Sequence, residues 1–269
     1  EHLVRARKID GLTGGISNEK IKAMKPGPEK TALEAEVKKL KEAHEAFKNK
    51  ILSACVVSDQ VYIASIADGN KGSGPLTVGF GGSRDKIGPE LSFGLSMAQK
   101  MDAPILIIKT SWGGKSLNYN FRPPSVKPYK LNEKEQAAKN AADIKKNASL
   151  NWRMMNEAVH NVLKDLKKYH PAYDASVGYD IAGFVWFQGF NDQFSDAFRD
   201  NYRDNMIHFV KDVRKEYQTP KMPFVIGVLG TNMTKEGVDK NAVSVAQREA
   251  AAAPEFKDTV ASVESYKVY

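Results

Sequence analysis

Apolar positions follow two rhythms along this chain. Pro104 to Thr110 (PILIIKT), Ile181 to Phe187 (IAGFVWF) and Pro223 to Thr231 (PFVIGVLGT) are short, almost unbroken apolar runs. A run of that kind suits a parallel strand covered on both faces. Val56 to Ile66 and Thr259 to Tyr266 add two more strand candidates. The intervening stretches have helical spacing. Glu90 to Lys100 carries Leu91, Phe93, Leu95 and Met97 behind Pro89, a residue suited to a first helical turn. Leu131 to Tyr169 reads as helix in one or two pieces, and Asn241 to Ala253 as a shorter one. Ser195 to Tyr217 places Phe198, Tyr202, Met206, Phe209, Val213 and Tyr217 on one face with charges on the other. Strands alternating with helices predict a three-layer α/β/α sandwich with a mainly parallel sheet. The runs at 104–110 and 181–187 both stop at glycine-containing corners and are expected to be adjacent strands.

Glu1 to Pro28 is polar and punctuated by Gly11, Gly14 and Gly15, which predicts irregular structure. From Glu29 to Ile51 the positions Leu33, Val37, Leu40, His44, Phe47 and Ile51 form a short heptad-like seam flanked by Lys and Glu. Residues 1–55 are therefore read as an irregular segment and a helical insertion, and 56–269 as the α/β domain, incomplete at both ends. Ala67 to Pro75 reads as a glycine-rich turn. Gly72-Ser73-Gly74 lacks the lysine and spacing of a phosphate-binding loop.

Composition narrows the function classes. The chain has 269 residues and a formal charge of +8, with lysines scattered through helices and no compact Arg-rich block. Nucleic acid is not expected as a partner, whereas an acidic glycan would benefit from the field. A single cysteine, Cys55, excludes an internal disulfide framework and a multi-cysteine zinc site. No apolar run approaches the ~20 residues of a membrane span, and Glu1 opens no signal-like stretch.

The candidate chemistry lies at the end of the 181–187 run, in Gln188-Gly189-Phe190-Asn191-Asp192. Ligands of open α/β sheets collect where strands end. Gly189 permits a turn that a β-carbon would hinder, and Asn191 can aim an amide NH2 into the crevice as a neutral oxyanion donor. Both Asn191 and Asp192 equally suit the start of a helix. A second corner, Ser111-Trp112-Gly113-Gly114, follows the 104–110 run, and its small residues free backbone amides or simply turn the chain. Arg122, held by Pro123 and Pro124, could grip a substrate carboxylate or brace its own loop. Gln188 and Arg122 are the candidate substrate contacts. His160, His170 and His208 read as structural.

Gly189-Phe190-Asn191-Asp192 spells the GxND block of the SGNH (GDSL-like) hydrolases. Gly88 to Gly94 (GPELSFG), Ile105 to Leu117 (ILIIKTSWGGKSL), Phe121 to Ser125 (FRPPS) and Val185 to Asp192 stand in the order of the sialate O-acetylesterase-like branch. That branch is similar to the acetylxylan-esterase carbohydrate esterases, and the similarity runs from about Pro75 to the C-terminus. The resemblance implies a flavodoxin-like SGNH sheet and no cofactor or metal. It also implies an oxyanion hole made by the Gly113 or Gly114 backbone NH with the Asn191 side chain, and an extracytoplasmic, periplasmic or secreted location. Two blocks of the family are not found. Its nucleophilic serine stands in a Gly-Gln-Ser-Asn block on a first strand, and its histidine in an Asp-x-x-His block after the last. None of the five histidines here has aspartate three residues before it.

A serine hydroxyl attacks poorly until an imidazole takes its proton. The expectation is accordingly a piece of a carbohydrate or sialate O-acetylesterase whose Ser and His lie outside this sequence, with an adjoining, cleaved or separate segment completing the sheet. A non-catalytic glycan-binding or surface-assembly protein is the alternative. A flavodoxin-like nucleotide binder is a third, and needs a phosphate loop that is not found.

Overall fold

The computed structural model describes residues 23–53, 57–68, 71–84, 86–230 and 234–268. The elements in chain order are α1 (Pro28–Ser53), β1 (Val61–Ala67), β2 (Gly72–Pro75), α2 (Pro89–Ala98), β3 (Ile105–Ser111), α3 (Glu133–Gln136), α4 (Ala141–Asn147), α5 (Leu150–Leu163), α6 (Leu166–Tyr169), β4 (Phe184–Trp186), α7 (Asp196–Asp200), α8 (Tyr202–Glu216), β5 (Phe224–Val228), α9 (Lys235–Lys240), α10 (Ala242–Ala251) and β6 (Val260–Glu264). They divide into two compact units, residues 1–61 with 75–102, and residues 62–74 with 103–269.

The first unit holds α1 and α2. Leu33 and Val37 of the predicted seam are half-buried among exposed neighbours. The side chains of Leu40, His44, Phe47 and Ile51 lie outside the described residues, as do Cys55 and most of Glu1 to Pro28. Helix α2 begins with Pro89 behind Gly88, whose N–H donates to Glu90 Oε1 at 3.0 Å.

Among the described residues the second unit carries six strands in two three-stranded sheets, ordered β2-β1-β3 and β4-β5-β6. The second sheet is parallel throughout, with Phe184 opposite Phe224 and Phe224 opposite Val260. Its core comes from the predicted face of α8: Tyr202, Met206, Phe209 and Val213 are fully buried against Trp186, Phe224 and Ile226, with α10 contributing Val243 and Ala250. Phe209 meets Trp152 of α5 edge-on at 5.2 Å and lies 4.3 Å from Trp186. Burial of such side chains contributes roughly 1.5–3 kcal/mol each. The smaller core of the other sheet joins Ala64, Val162 and Leu166, with Leu106 and Ile108 packed on it. Helix α5 serves both cores, through Trp152 and Met155 on one and Val162 on the other.

Three expectations need correction. Strands β3 and β4 belong to different sheets, so they are not hydrogen-bonded neighbours. The 181–187 run is strand only at Phe184–Trp186, and it is covered on one face: Trp186 is buried while Val185 and Phe187 are 45% and 48% exposed. An apolar run cannot reveal whether a second layer covers its other face. Ala67 to Pro75, read as a turn, contains strand β2.

Candidate functional site

Past Trp186 the chain leaves the sheet and doubles back at Gly189, whose φ of +152° is unfavourable for other residues. Space demands glycine as well, since a β-carbon there would stand 2.9 Å from Val243 Cγ1 and 3.1 Å from Gln247 Nε2. The turn delivers Asn191 to the start of a single 3-10 turn, Asp192–Phe194, where its side chain makes no capping hydrogen bond.

The aspartate does the tying. Asp192 is fully buried, and its carboxylate accepts from the backbone N–H of Leu117 at 2.9 Å, from Asn118 N–H at 3.0 Å and from Gln188 Nε2 at 2.7 Å. Gln188 Nε2 also donates to the Lys115 carbonyl at 2.8 Å. The corner after β4 is thereby fastened to the loop after β3, although the two strands share no ladder. Burial pushes the Asp192 carboxyl above its ordinary range, and the hydrogen bonds from Gln188, Asn118 and Leu117 pull it back.

A second layer supports Gln188. The hydroxyl of Tyr202 lies 3.0 Å from the Gln188 carbonyl and 3.2 Å from its Oε1, Gln247 Nε2 donates to the same carbonyl at 2.7 Å, and Trp186 Nε1 donates to the Tyr202 hydroxyl at 3.3 Å. Gln247 Oε1 accepts from Leu229 N–H at 2.8 Å. Burial, then the charge of Asp192, raises the pKa of Tyr202, so the phenol stays protonated. Buried polar groups this fully paired hold one geometry.

Above the network opens a cavity of about 280 Å³, lined by Gly114, Lys115, Gln188, Phe190 and Asn191 among others. Gly114 has φ +69°, and a β-carbon on it would lie 3.7 Å from Asn191 Nδ2. Gly114 and the Asn191 amide thus converge on one cavity. Gly113, one residue before, is exposed, with nothing within 4 Å of a would-be β-carbon.

The two candidate substrate contacts have internal partners. Gln188 lines the cavity, but both ends of its amide are engaged as described. Arg122 is absent from the lining and braces its own loop: Nε and Nη2 donate to the Lys127 carbonyl at 2.9 and 2.7 Å, and Nη1 to the Asn118 carbonyl at 2.8 Å. Since Asn118 N–H also meets Asp192, Arg122 stiffens the loop that the aspartate holds.

Sequence reasoning missed Asp192 as a clamp and Tyr202 and Gln247 as supports. The only signal was a tyrosine and a glutamine on the apolar faces of predicted helices.

A serine and a histidine meet elsewhere. Ser125 Oγ lies 2.7 Å from His208 Nδ1 and 2.9 Å from Asp212 Oδ2, and Ser125 N–H donates to the same carboxylate at 2.9 Å. A carboxylate only accepts, so the single hydroxyl proton goes to Asp212, and the serine then accepts from His208. That polarity is the reverse of an activated nucleophile, whose hydroxyl must donate to the imidazole. Of the other two predicted structural histidines, His170 is buried 4.5 Å from the Tyr62 ring, and the part-exposed His160 pairs with Glu216 at 2.8 Å. Among the described residues no group of three or more His, Cys, Asp or Glu could hold a metal ion.

The fold is similar to that of a protein from Arabidopsis thaliana (15% identity, 78% of this chain and 69% of that one, TM-score 0.47). It is also similar to a carbohydrate acetylesterase from Xanthomonas citri (14%, 80% and 45%, 0.48) and to NanS (12%, 78% and 69%, 0.45). No curated protein matches significantly in sequence. The family described as "Carbohydrate esterase, sialic acid-specific acetylesterase" matches residues 43–266. With most of its length matched, both corners included, the chain belongs to this carbohydrate esterase family.

Proposed function

We propose that this chain supplies the oxyanion-binding half of an acetylesterase acting on acetylated carbohydrate, sialic acids included. The observation that carries the proposal is the convergence of Gly114 with an uncapped Asn191 amide on one cavity. In this mechanism a serine hydroxyl loses its proton to a histidine and attacks the acetyl carbonyl. The carbonyl oxygen becomes an oxyanion, held by the Asn191 Nδ2–H and a backbone N–H of Gly113 or Gly114. Histidine then protonates the sugar oxygen as it leaves, and water repeats the sequence to release acetate. Gln188 and Arg122 act by positioning, the first through Asp192 and Lys115, the second through Asn118.

Nucleophile and base come, in this proposal, from a segment outside this sequence that pairs beside β3 or β4. Its support is that β3 and β4 each end a separate three-stranded sheet while their following loops are fastened together. An edge strand can accept a further strand on its outer side. The export expected from the resemblance belongs to the same proposal.

The test is Asn191→Ala in the intact protein. Turnover of an acetylated sugar should fall by ~10²-fold or more, with the melting temperature unchanged because Asn191 caps nothing. Undiminished turnover would defeat the role. A non-catalytic glycan-binding protein is the second reading. It is favoured by the one serine-histidine contact described at Ser125, which lies off the cavity and has the wrong polarity. An intact polypeptide without esterase activity would establish it.

A further inference from the structure

Helix α10 carries a polar row among apolar neighbours. Asn241, its N-cap, and Ser244 and Gln247 recur at every third position and so share one face of the helix. Ser244 and Gln247 are fully buried, beside Val243 and Ala250 of the core. Buried amides and hydroxyls are costly unless paired. Each member of this row is paired with a segment that follows β4 or β5.

Gln247 serves both segments at once. Its Nε2 donates to the Gln188 carbonyl at 2.7 Å, and its Oε1 accepts from Leu229 N–H at 2.8 Å. Ser244 Oγ donates to the Leu229 carbonyl at 2.8 Å, so α10 holds both backbone groups of Leu229. Asn241 accepts from Ser244 N–H at 3.0 Å and donates through Nδ2 to Gln193 Oε1 at 3.0 Å, in the 3-10 turn. Asn191 therefore lies on a short span held at Gln188 on one side and at Asp192 and Gln193 on the other. Gln188, Asn191 and Leu229 all line the cavity.

Resting on the esterase reading, we infer that the row on α10 sets the place of the Asn191 amide, with Gln247 as its positioning residue. Being fully buried, Gln247 acts through the Gln188 carbonyl and Leu229 and touches no substrate. A side-chain amide suits the task because it offers an acceptor to one backbone group and a donor to the other. A carboxylate in its place only accepts and repels the Gln188 carbonyl, whereas the protonated acid regains one donor. Gln247→Glu is thus a variant of equal size whose fit to the corner depends on pH.

Among the described residues, the titratable groups in hydrogen-bond reach of this network are Tyr202 on α8, 3.2 Å from Gln247 Nε2, and Asp192 beside Gln188. Tyr202 stays protonated, and comparison with the unaltered protein at each pH removes the contribution of Asp192. The charges nearby on α9 and α10 are engaged elsewhere: Arg248 with Glu264 and Asp239, Lys240 with Glu236, and Glu249 with Arg203.

Two readouts on the intact protein test the inference. In Gln247→Glu, kcat for an acetylated sugar relative to the unaltered protein should fall by about tenfold between about pH 5 and about pH 8, as the buried glutamate loses its proton. KM should not change, because the oxyanion forms only in the transition state. Arg214→Met, which frees α8 from the starts of β5 and β6, should lower the melting temperature and leave kcat unchanged. An equal loss of kcat in that variant, or a ratio for Gln247→Glu that is flat with pH, would overturn the inference. The second readout needs no turnover. NMR signals of the Asn191 side-chain amide, assigned by their loss in Asn191→Ala, should move over the same pH range in Gln247→Glu relative to the unaltered protein. Signals that ignore residue 247 would also overturn the inference. An unaltered protein without turnover, whose Asn191 signals still follow residue 247, would sink the esterase reading and leave the positioning in place.

Discussion

At the scale of single residues, two glycines a corner apart make opposite predictions. Gly189 has φ +152° and a β-carbon position only 2.9 Å from Val243 Cγ1. Gly189→Ala should therefore cost roughly 3 kcal/mol, from backbone strain and overpacking together. Gly113 meets nothing within 4 Å, and Gly113→Ala should stay within about 0.5 kcal/mol. Urea unfolding of the two variants checks the pair.

Asp192 adds a pH signature. Its folded pKa is raised by burial, so the native state holds the proton more tightly than the unfolded chain. Stability contributed at this site therefore falls as pH rises from the unfolded value of ~3.9 through the higher folded value, and is level above it. Asp192→Asn removes that titration. It also turns one acceptor into a donor facing donors, at a cost of about 1–3 kcal/mol. The stability difference between the two proteins should narrow as pH rises across that window and then stay constant; a difference that widens would contradict the raised pKa.

At the scale of elements, helix α8 is joined to its sheet by more than apolar contact. Arg214, near its C-terminal end and buried, donates through Nε and Nη2 to the Met222 carbonyl at 3.2 and 2.8 Å, and through Nη2 to the Thr259 carbonyl at 3.1 Å. Those carbonyls lie just before β5 and β6, so one guanidinium registers two strand starts against the helix. Its plane also stands over the Phe256 ring at 5.4 Å. Arg214→Met keeps much of the volume but leaves the buried Met222 carbonyl without its donor, while the Thr259 carbonyl keeps the Phe224 N–H at 2.9 Å, and should cost roughly 1–3 kcal/mol. The periodicity of α8 was legible because its face is strictly amphipathic. The function of Arg214 was not, because an arginine in the last turn of a helix reads equally well as solvated charge.

At the scale of the whole molecule, β3 and β4 are two of the four edge strands among the described residues, and they are the two whose following loops are fastened together. Amide exchange should find β5 more protected than β4 and β6, since it pairs on both sides with them. Amides on the outer edge of β4 should exchange faster. In the intact polypeptide, or with a completing segment added, protection should extend to that edge of β3 or β4. Identical exchange patterns in both forms would exclude a strand pairing there.

Much of this architecture was determined by local sequence. The apolar face of α8, the strands at Ile105–Ser111, Phe224–Val228 and Val260–Glu264, and the two glycine corners follow from spacing and backbone preference, which act within a few residues. The Asn191 candidate came instead from the resemblance of Gly189 to Asp192 to a family block, because the residues alone read as a helix start. Only the tertiary structure decided that β3 and β4 lie in different sheets, that one face of β4 is half-exposed, and that Asp192 spans from one corner to the other. Strand partners, the covering of a second face and a carboxylate's N–H donors all come from residues distant in sequence, and hydrophobic periodicity records burial without recording what does the burying.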